Sequence, residues 1–232
     1  MLEISNTEVF NLERAVVASG NAMRLKPEEA TQEAFERGLA RMKRLVHSSL
    51  TTDVHCHDNA LTGILVSFDL KYPQYFTKQL QRYHFVQYVS STSMMHTITK
   101  MDFDKCCNKY VSDMTKSQMK DFVSLYNKLQ EATFESSDWY EVFANYKNFL
   151  HYIFWNFNAE YKSKEEVLYD CYMRIISNCP MGAELYVHVT TNYKQLQTIY
   201  FQRRNHKLKE DWGEFCKFIE SLPYAKELII CE

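Results

Sequence analysis

Two clusters of side chains in this sequence have the types and spacing to hold an anion. Gln79 and Arg82 stand three residues apart, so on a helix they are neighbours that converge on one phosphate or base edge. Four consecutive hydroxyls follow at Ser90, Ser91, Thr92 and Ser93, and a turn there would set hydroxyl and backbone N–H donors beside the arginine as a phosphate cradle. The second cluster is Arg203-Arg204-Asn205-His206-Lys207. Arg203 falls at helical spacing on the face of Leu196, Ile199 and Tyr200, and an arginine there either pairs with a core carboxylate or meets a bound anion. A third group, His55-Cys56-His57 with Cys106-Cys107, has side chains that suit zinc but neither Cys-x-x-Cys nor His-x-x-x-His spacing. A reduced, half-buried loop is expected there, and no metal site.

Each anion cluster follows an expected strand and helix. Ile64, Val66, Phe68 and Leu70 alternate with less apolar neighbours, as a half-buried strand requires, and Pro73 stops the run. A helix over 74–89 then places Phe76, Leu80 and Tyr83 on one stripe and Tyr75, Gln79, Arg82 and Val86 on the next. Leu185, Val187 and Val189 alternate with Tyr186, His188 and Thr190 in a second strand, in which His188 is expected as a satisfied sheet residue. Asn192 then has the spacing of a helix start, and the helix carries Leu196, Ile199, Tyr200 and Arg203.

The remaining elements are helices. One is expected over 7–20, and another opens at Pro27 with Ala34, Phe35, Leu39, Met42 and Val46 inward and Arg37, Arg41, Lys43 and Arg44 solvated. A third starts near Thr115, and a fourth starts near Ser137 and runs through Phe154, so aromatic that it lies in the core or in a subunit interface. Ser163 to Glu166 has capping-box spacing for a helix lasting to Asn178, and a final helix with Trp212, Phe215 and Ile219 ends at Pro223 before a short tail.

Composition narrows the classes. Only 5 Gly and 4 Pro among 232 residues favour a helix-rich chain over a turn-dense all-β fold, the two expected strands add a small central sheet and make the class α/β (α+β), and the lack of a linker-like stretch predicts one domain over 1–232. A net charge of −2 argues against a duplex nucleic-acid partner. Seven cysteines without a regular framework, and no signal-peptide pattern, predict a reducing cytoplasm. The most apolar window, 149–157, is too short for a bilayer, so no membrane span is expected.

The order of these motifs resembles that of the flavin-dependent thymidylate synthases. Their His-Glu-Thr-x-Phe-Glu loop is echoed by His57-Asp58-Asn59-Ala60-Leu61-Thr62 before the first strand. Their Pro-x-x-x-x-x-Gln-x-x-Arg-His-Arg segment is echoed by Pro73, Gln79, Arg82, Tyr83 and His84, and their Asn-x-Arg-Ser-Leu helix by Asn192, Lys194, Gln195 and Leu196, with Arg203 beyond. The resemblance implies an α/β homotetramer that binds FAD and dUMP and uses methylenetetrahydrofolate for reductive methylation of a pyrimidine deoxynucleotide, without a protein nucleophile. It assigns Gln79, Arg82 and Arg203 to the substrate, with Thr92 in place of a serine there, and Asn192 and Lys194 to the flavin side; Ser90, Ser91 and Ser93 are expected at the substrate as part of the hydroxyl cradle, and His57, Asn59, His84 and His206 on the cofactor side. In the signature that follows the leading arginine, only Arg82 is kept outright: Tyr83 and His84 replace His and Arg, Ser90 replaces a carboxylate, and Met94 replaces an arginine. The alternative is therefore a catalytically inactive nucleotide-binding or sequestering protein on the same fold.

Overall fold

The computed structural model describes residues 2–51, 58–154, 160–161 and 163–231. In chain order the principal elements are β1 (Glu3–Phe10), α1 (Leu12–Ala18), α2 (Gln32–Thr51), β2 (Leu65–Pro73), α3 (Gln74–Leu80), β3 (Gln87–Ser91) and α4 (Met94–Thr97). There follow α5 (Asp113–Glu131), α6 (Ser137–Ile153), α7 (Lys164–Asn178), β4 (Glu184–Asn192), α8 (Tyr193–Arg203) and α9 (Lys209–Ser221), with a π-helical turn at Lys226–Ile230. Two compact units result, one of residues 1–91 and 186–232, the other of residues 92–185.

The first unit carries a four-stranded sheet in the order β1-β2-β4-β3. β1 with β2, and β3 with β4, are antiparallel. β2 and β4 also run in opposite directions, since Tyr193 N–H donates to Ile64 O at 3.0 Å while His188 meets Asp69 at the other end. The alternation expected from the sequence sets the inner face: Ile64, Val66, Phe68 and Leu70 are all fully buried. Phe68 meets Phe215 and Phe218 of α9, and Phe76 of α3 meets Trp212 at 4.5 Å between ring centres, so α9 closes the core over that face. α1 and α2 approach closely at Gly38, where a Cβ would stand 2.7 Å from Val16 O.

The second unit is a helical cluster around Phe103, Phe122, Leu129, Trp139, Tyr146 and Ile175. Its helices begin where hydroxyl caps are available: Ser112, Ser136 and Ser163 accept the N–H of Thr115, Trp139 and Glu166.

Five expectations are corrected. The amino-terminal helix over 7–20 begins only at Leu12, because residues 3–10 are drawn into edge strand β1 by pairing with 65–71. Pro27 does not open α2; Thr31 does, its hydroxyl accepting Ala34 N–H at 3.2 Å, so a side-chain cap overrides the proline signal. The helix expected over 74–89 stops at Leu80, turns through Tyr83 N–H to Leu80 O and Val86 N–H to Tyr83 O, and re-forms as β3 against β4. Ser90 and Ser91 are therefore strand residues facing His188 and Val187, not a turn. The expected short tail is instead the Lys226–Ile230 turn, which buries Leu228, Ile229 and Ile230. Among the described residues no helix is long and apolar enough to cross a membrane.

Candidate functional site

β4 runs without a loop into α8 because Asn192 caps the helix, its Oδ1 accepting Gln195 N–H at 2.8 Å. That fixes Lys194, Gln195 and Thr198 along the first turns of α8. The turn after α3 is then pinned to α8 at two points. Gln195 Oε1 accepts Phe85 N–H at 3.3 Å, and Tyr83 OH donates to Gln202 Oε1 at 3.1 Å while accepting Arg203 Nε–H at 2.6 Å. Between the turn and the helix lies a cleft of about 400 Å³ lined by Arg82, Tyr83, His84, Phe85, Lys194, Gln195, Thr198, Gln202 and Arg203.

Among the described residues three cations and no carboxylate line this cleft. Among the described residues neither Arg82 nor Arg203 forms an ion pair with a carboxylate. The Arg203 guanidinium instead lies 4.8 Å from the Trp212 ring centre and 5.5 Å from that of Tyr83, which orients it without neutralising it. Lys194 differs, because Nζ is 2.5 Å from Asp58 Oδ2 and donates to Gln197 Oε1 at 3.1 Å. Asp58 is 1% exposed at its side chain, and among the described residues its Oδ1 and the Gln197 Nε2 have no hydrogen-bond partner. A buried carboxylate thus stands behind the lysine and offsets part of its charge. Such an arrangement suits an anion whose charge is met chiefly by Arg82 and Arg203, with Lys194 as a weaker third contact.

His206 sits beyond the cleft. Its Nδ1 accepts Leu208 N–H at 3.1 Å and its ring stands 6.1 Å from Trp212. Burial, with Arg203 and Lys207 adding repulsion, lowers its pKa and favours the neutral imidazole.

The other expected site residues are dispersed. Gln79 does not join Arg82: α3 ends one residue later, and Gln79 Oε1 accepts Trp212 Nε1–H at 3.0 Å, which makes it a support for the core tryptophan. Asn192 is buried and committed to its cap. Asn59 lies on a 3-10 turn and lines a separate hollow of about 490 Å³ with Asn11, Arg14 and Ser19. Ser90 and Ser91 are exposed on edge strand β3, while Thr92 and Ser93 belong to the second unit, where Ser93 stands at the N-terminus of α4. His57, with His55 and Cys56, lies outside the described residues. Among the described residues no cluster of three His, Cys, Asp or Glu is arranged to hold a metal. Nothing in the sequence pointed to Gln202. Tyr83 and Asp58 figure there only as positions of the family's motifs, and the contacts of Tyr83 with Arg203 and Gln202 and of Asp58 with Lys194 appear only in the fold; the phenol at the end of an apolar helical stripe is the one local sign of a polar duty at Tyr83.

No protein-family model matches the sequence. No curated protein matches it either. The fold does match solved structures. The crystal structure of the flavin-dependent thymidylate synthase ThyX from Helicobacter pylori complexed with FAD and dUMP is similar with a TM-score of 0.57 and 13% identity, over 98% of this chain and 97% of that one. A second crystal structure of ThyX from Helicobacter pylori with FAD and dUMP has a TM-score of 0.56 and 13% identity, over 100% of this chain and 99% of that one. The chain therefore has a thymidylate-synthase-like fold of the flavin-dependent type, helix-rich with a small sheet.

Proposed function

We propose that the chain is a flavin-dependent thymidylate synthase-like enzyme whose cationic cleft receives the phosphate of a pyrimidine deoxynucleotide such as dUMP. The observation that carries this is the convergence of Arg82 and Arg203, 121 positions apart in sequence, on one cleft with no carboxylate among its described lining residues. Charge-assisted contacts of that kind are worth about 1.5–3 kcal/mol each, enough for specific recognition of a monophosphate. The fold supports the reading, since the similar Helicobacter pylori structures carry FAD and dUMP.

The residues present also fit an anionic cofactor. Lys194 and His84 line the same cleft and supply cationic and hydrogen-bonding groups for a flavin diphosphate, whereas Asn192 is already used as a helix cap. A bound FAD would supply hydride for reductive methylation, with methylenetetrahydrofolate as carbon donor. This chain's part is to hold the phosphate at Arg82 and Arg203 and to keep Arg203 oriented through Tyr83 and Trp212. A homo-oligomer, as a tetramer in the cytoplasm, belongs to the same proposal.

A second reading is favoured by one feature. Tyr83 occupies Arg203 Nε and Asp58 holds Lys194, so part of the donor capacity is already spent, as in a protein that binds a nucleotide without turning it over. Separate calorimetric titrations with dUMP and with FAD, and a visible spectrum of the purified protein, test both. The enzyme requires binding of both ligands and a visible flavin absorbance in the purified protein. Binding of dUMP alone leaves the sequestering protein, and heat with neither ligand overturns both.

A further inference from the structure

The outer face of the sheet holds an arrangement that the nucleotide cleft does not use. Ser67 and Asp69 are two residues apart on β2 and so point to the same side, and His188 on β4 lies between them. His188 Nε2 is 2.9 Å from Ser67 Oγ, and His188 Nδ1 is 2.6 Å from Asp69 Oδ1. The second carboxylate oxygen, Oδ2, accepts Asn6 Nδ2–H from β1 at 2.7 Å. Both oxygens of Asp69 are thereby fixed and the carboxylate faces Nδ1, an arrangement that suits the tautomer with its proton on Nδ1, in which Nε2 accepts from the serine hydroxyl. Hydrogen bonds from Asn6 and His188 keep Asp69 ionised well below the usual carboxylate range.

The backbone around this trio is irregular on both sides. β1 shifts register between Ser5 and Glu8, across from Asp69 and Ser67, and Asn6 in that bulge takes φ 49°, a left-handed conformation. β3 shifts register between Tyr88 and Ser90, and Ser90 pairs with His188. Bulges concentrate where a sheet must re-aim side chains, and two of them bracket the same three residues. His188 and Asp69 are 40% and 39% exposed at their side chains, so the ring is reachable from solvent, while Ser67 lies beneath it at 8%.

We propose that Ser67, His188 and Asp69 form a Ser-His-Asp nucleophilic site for small esters or other activated acyl groups, independent of the nucleotide cleft. The connectivity, with carboxylate on Nδ1 and hydroxyl on Nε2, is the one that such triads share across unrelated folds. Ser67 Oγ attacks the acyl carbon as its proton passes to His188 Nε2. The acyl–oxygen bond of the ester then breaks, and the leaving alkoxide takes that proton. Water, deprotonated by the same nitrogen, releases the carboxylic acid and restores the serine. No metal, oxidant or further co-reactant is required.

The test is covalent labelling of the full-length protein with a fluorophosphonate probe, read by peptide mass spectrometry, alongside p-nitrophenyl acetate hydrolysis. A single adduct on Ser67 is expected, absent in Ser67→Ala and formed about 100-fold more slowly in His188→Gln, the scale of a lost general base. The Asn6→Gly variant, which removes the amide donor to Asp69 and tolerates the left-handed φ at that position, keeps the comparison available if His188→Gln does not fold, and should slow labelling while leaving Ser67 in place. No adduct on Ser67 in the folded wild-type protein overturns the proposal, as does labelling at an equal rate in His188→Gln. Titration with dUMP of Ser67→Ala should match that of the wild type, which separates failure here from failure of the nucleotide reading.

Discussion

Replacing Arg203 by alanine separates what this side chain does for folding from what it does for binding. On the folding side the guanidinium leaves two aromatic faces, Trp212 at 4.8 Å and Tyr83 at 5.5 Å, and one hydrogen bond to Tyr83 OH at 2.6 Å. The tyrosine hydroxyl keeps Gln202 as acceptor, so no buried polar group is orphaned. Cation–π contacts of about 0.5–1 kcal/mol each, with one modest hydrogen bond, give a destabilisation of about 2 kcal/mol. On the binding side one charge-assisted contact to phosphate, about 1.5–3 kcal/mol, is lost. At 1.4 kcal/mol per tenfold, that weakens dUMP binding by about 10- to 150-fold. Calorimetry at two salt concentrations measures it, with deoxyuridine as the phosphate-free control. Arg203→Lys should recover only part of the affinity, because an ammonium keeps the charge but loses the planar stack. A change below threefold for dUMP, or an equal loss for deoxyuridine, refutes the assignment of Arg203 to the phosphate.

Two further substitutions probe the scaffold. Gln79→Ala leaves the Nε1–H of fully buried Trp212 without its acceptor, at a cost of about 1–3 kcal/mol in chemical denaturation, while dUMP affinity stays within twofold; a larger affinity loss would return Gln79 to the site. In the second unit, burial opposes ionisation of Asp170, but Arg174 Nε–H, Tyr146 OH and Tyr161 OH, at 2.7, 2.6 and 2.8 Å, together hold its pKa below the ordinary value. A depressed folded pKa gives stability that is present above the unfolded pKa and lost as pH falls through the folded one. Thermal unfolding should therefore show a gap between wild type and Asp170→Asn that is widest near neutrality and narrows below pH about 4; parallel profiles would contradict the role of Asp170.

Local chemistry was legible in the sequence wherever one strong signal acted alone. The period-two run Ile64 to Leu70 identified a strand and its buried face, because alternation decides which side meets the core. Ser163 and Asn192 marked helix starts, because a cap depends only on residues within one turn. Arg203 at the end of an apolar helical face pointed to a cation in need of a partner, and the cleft opens there.

What the sequence could not decide were the pairings between distant segments. Residues 3–10 and 87–91 carry little apolar periodicity and become strands only because β2 and β4 offer them open edges. The same pairing ended α3 early and turned Gln79 toward Trp212, so two residues adjacent on a helical wheel were given different neighbours. The cleft and the Ser67-His188-Asp69 trio likewise join side chains about 120 positions apart in sequence. Composition and periodicity report the free energy of a segment in its own surroundings, whereas such meetings are set by sheet register and by which helix cap fixes which turn, and these exist only once the chain has closed on itself.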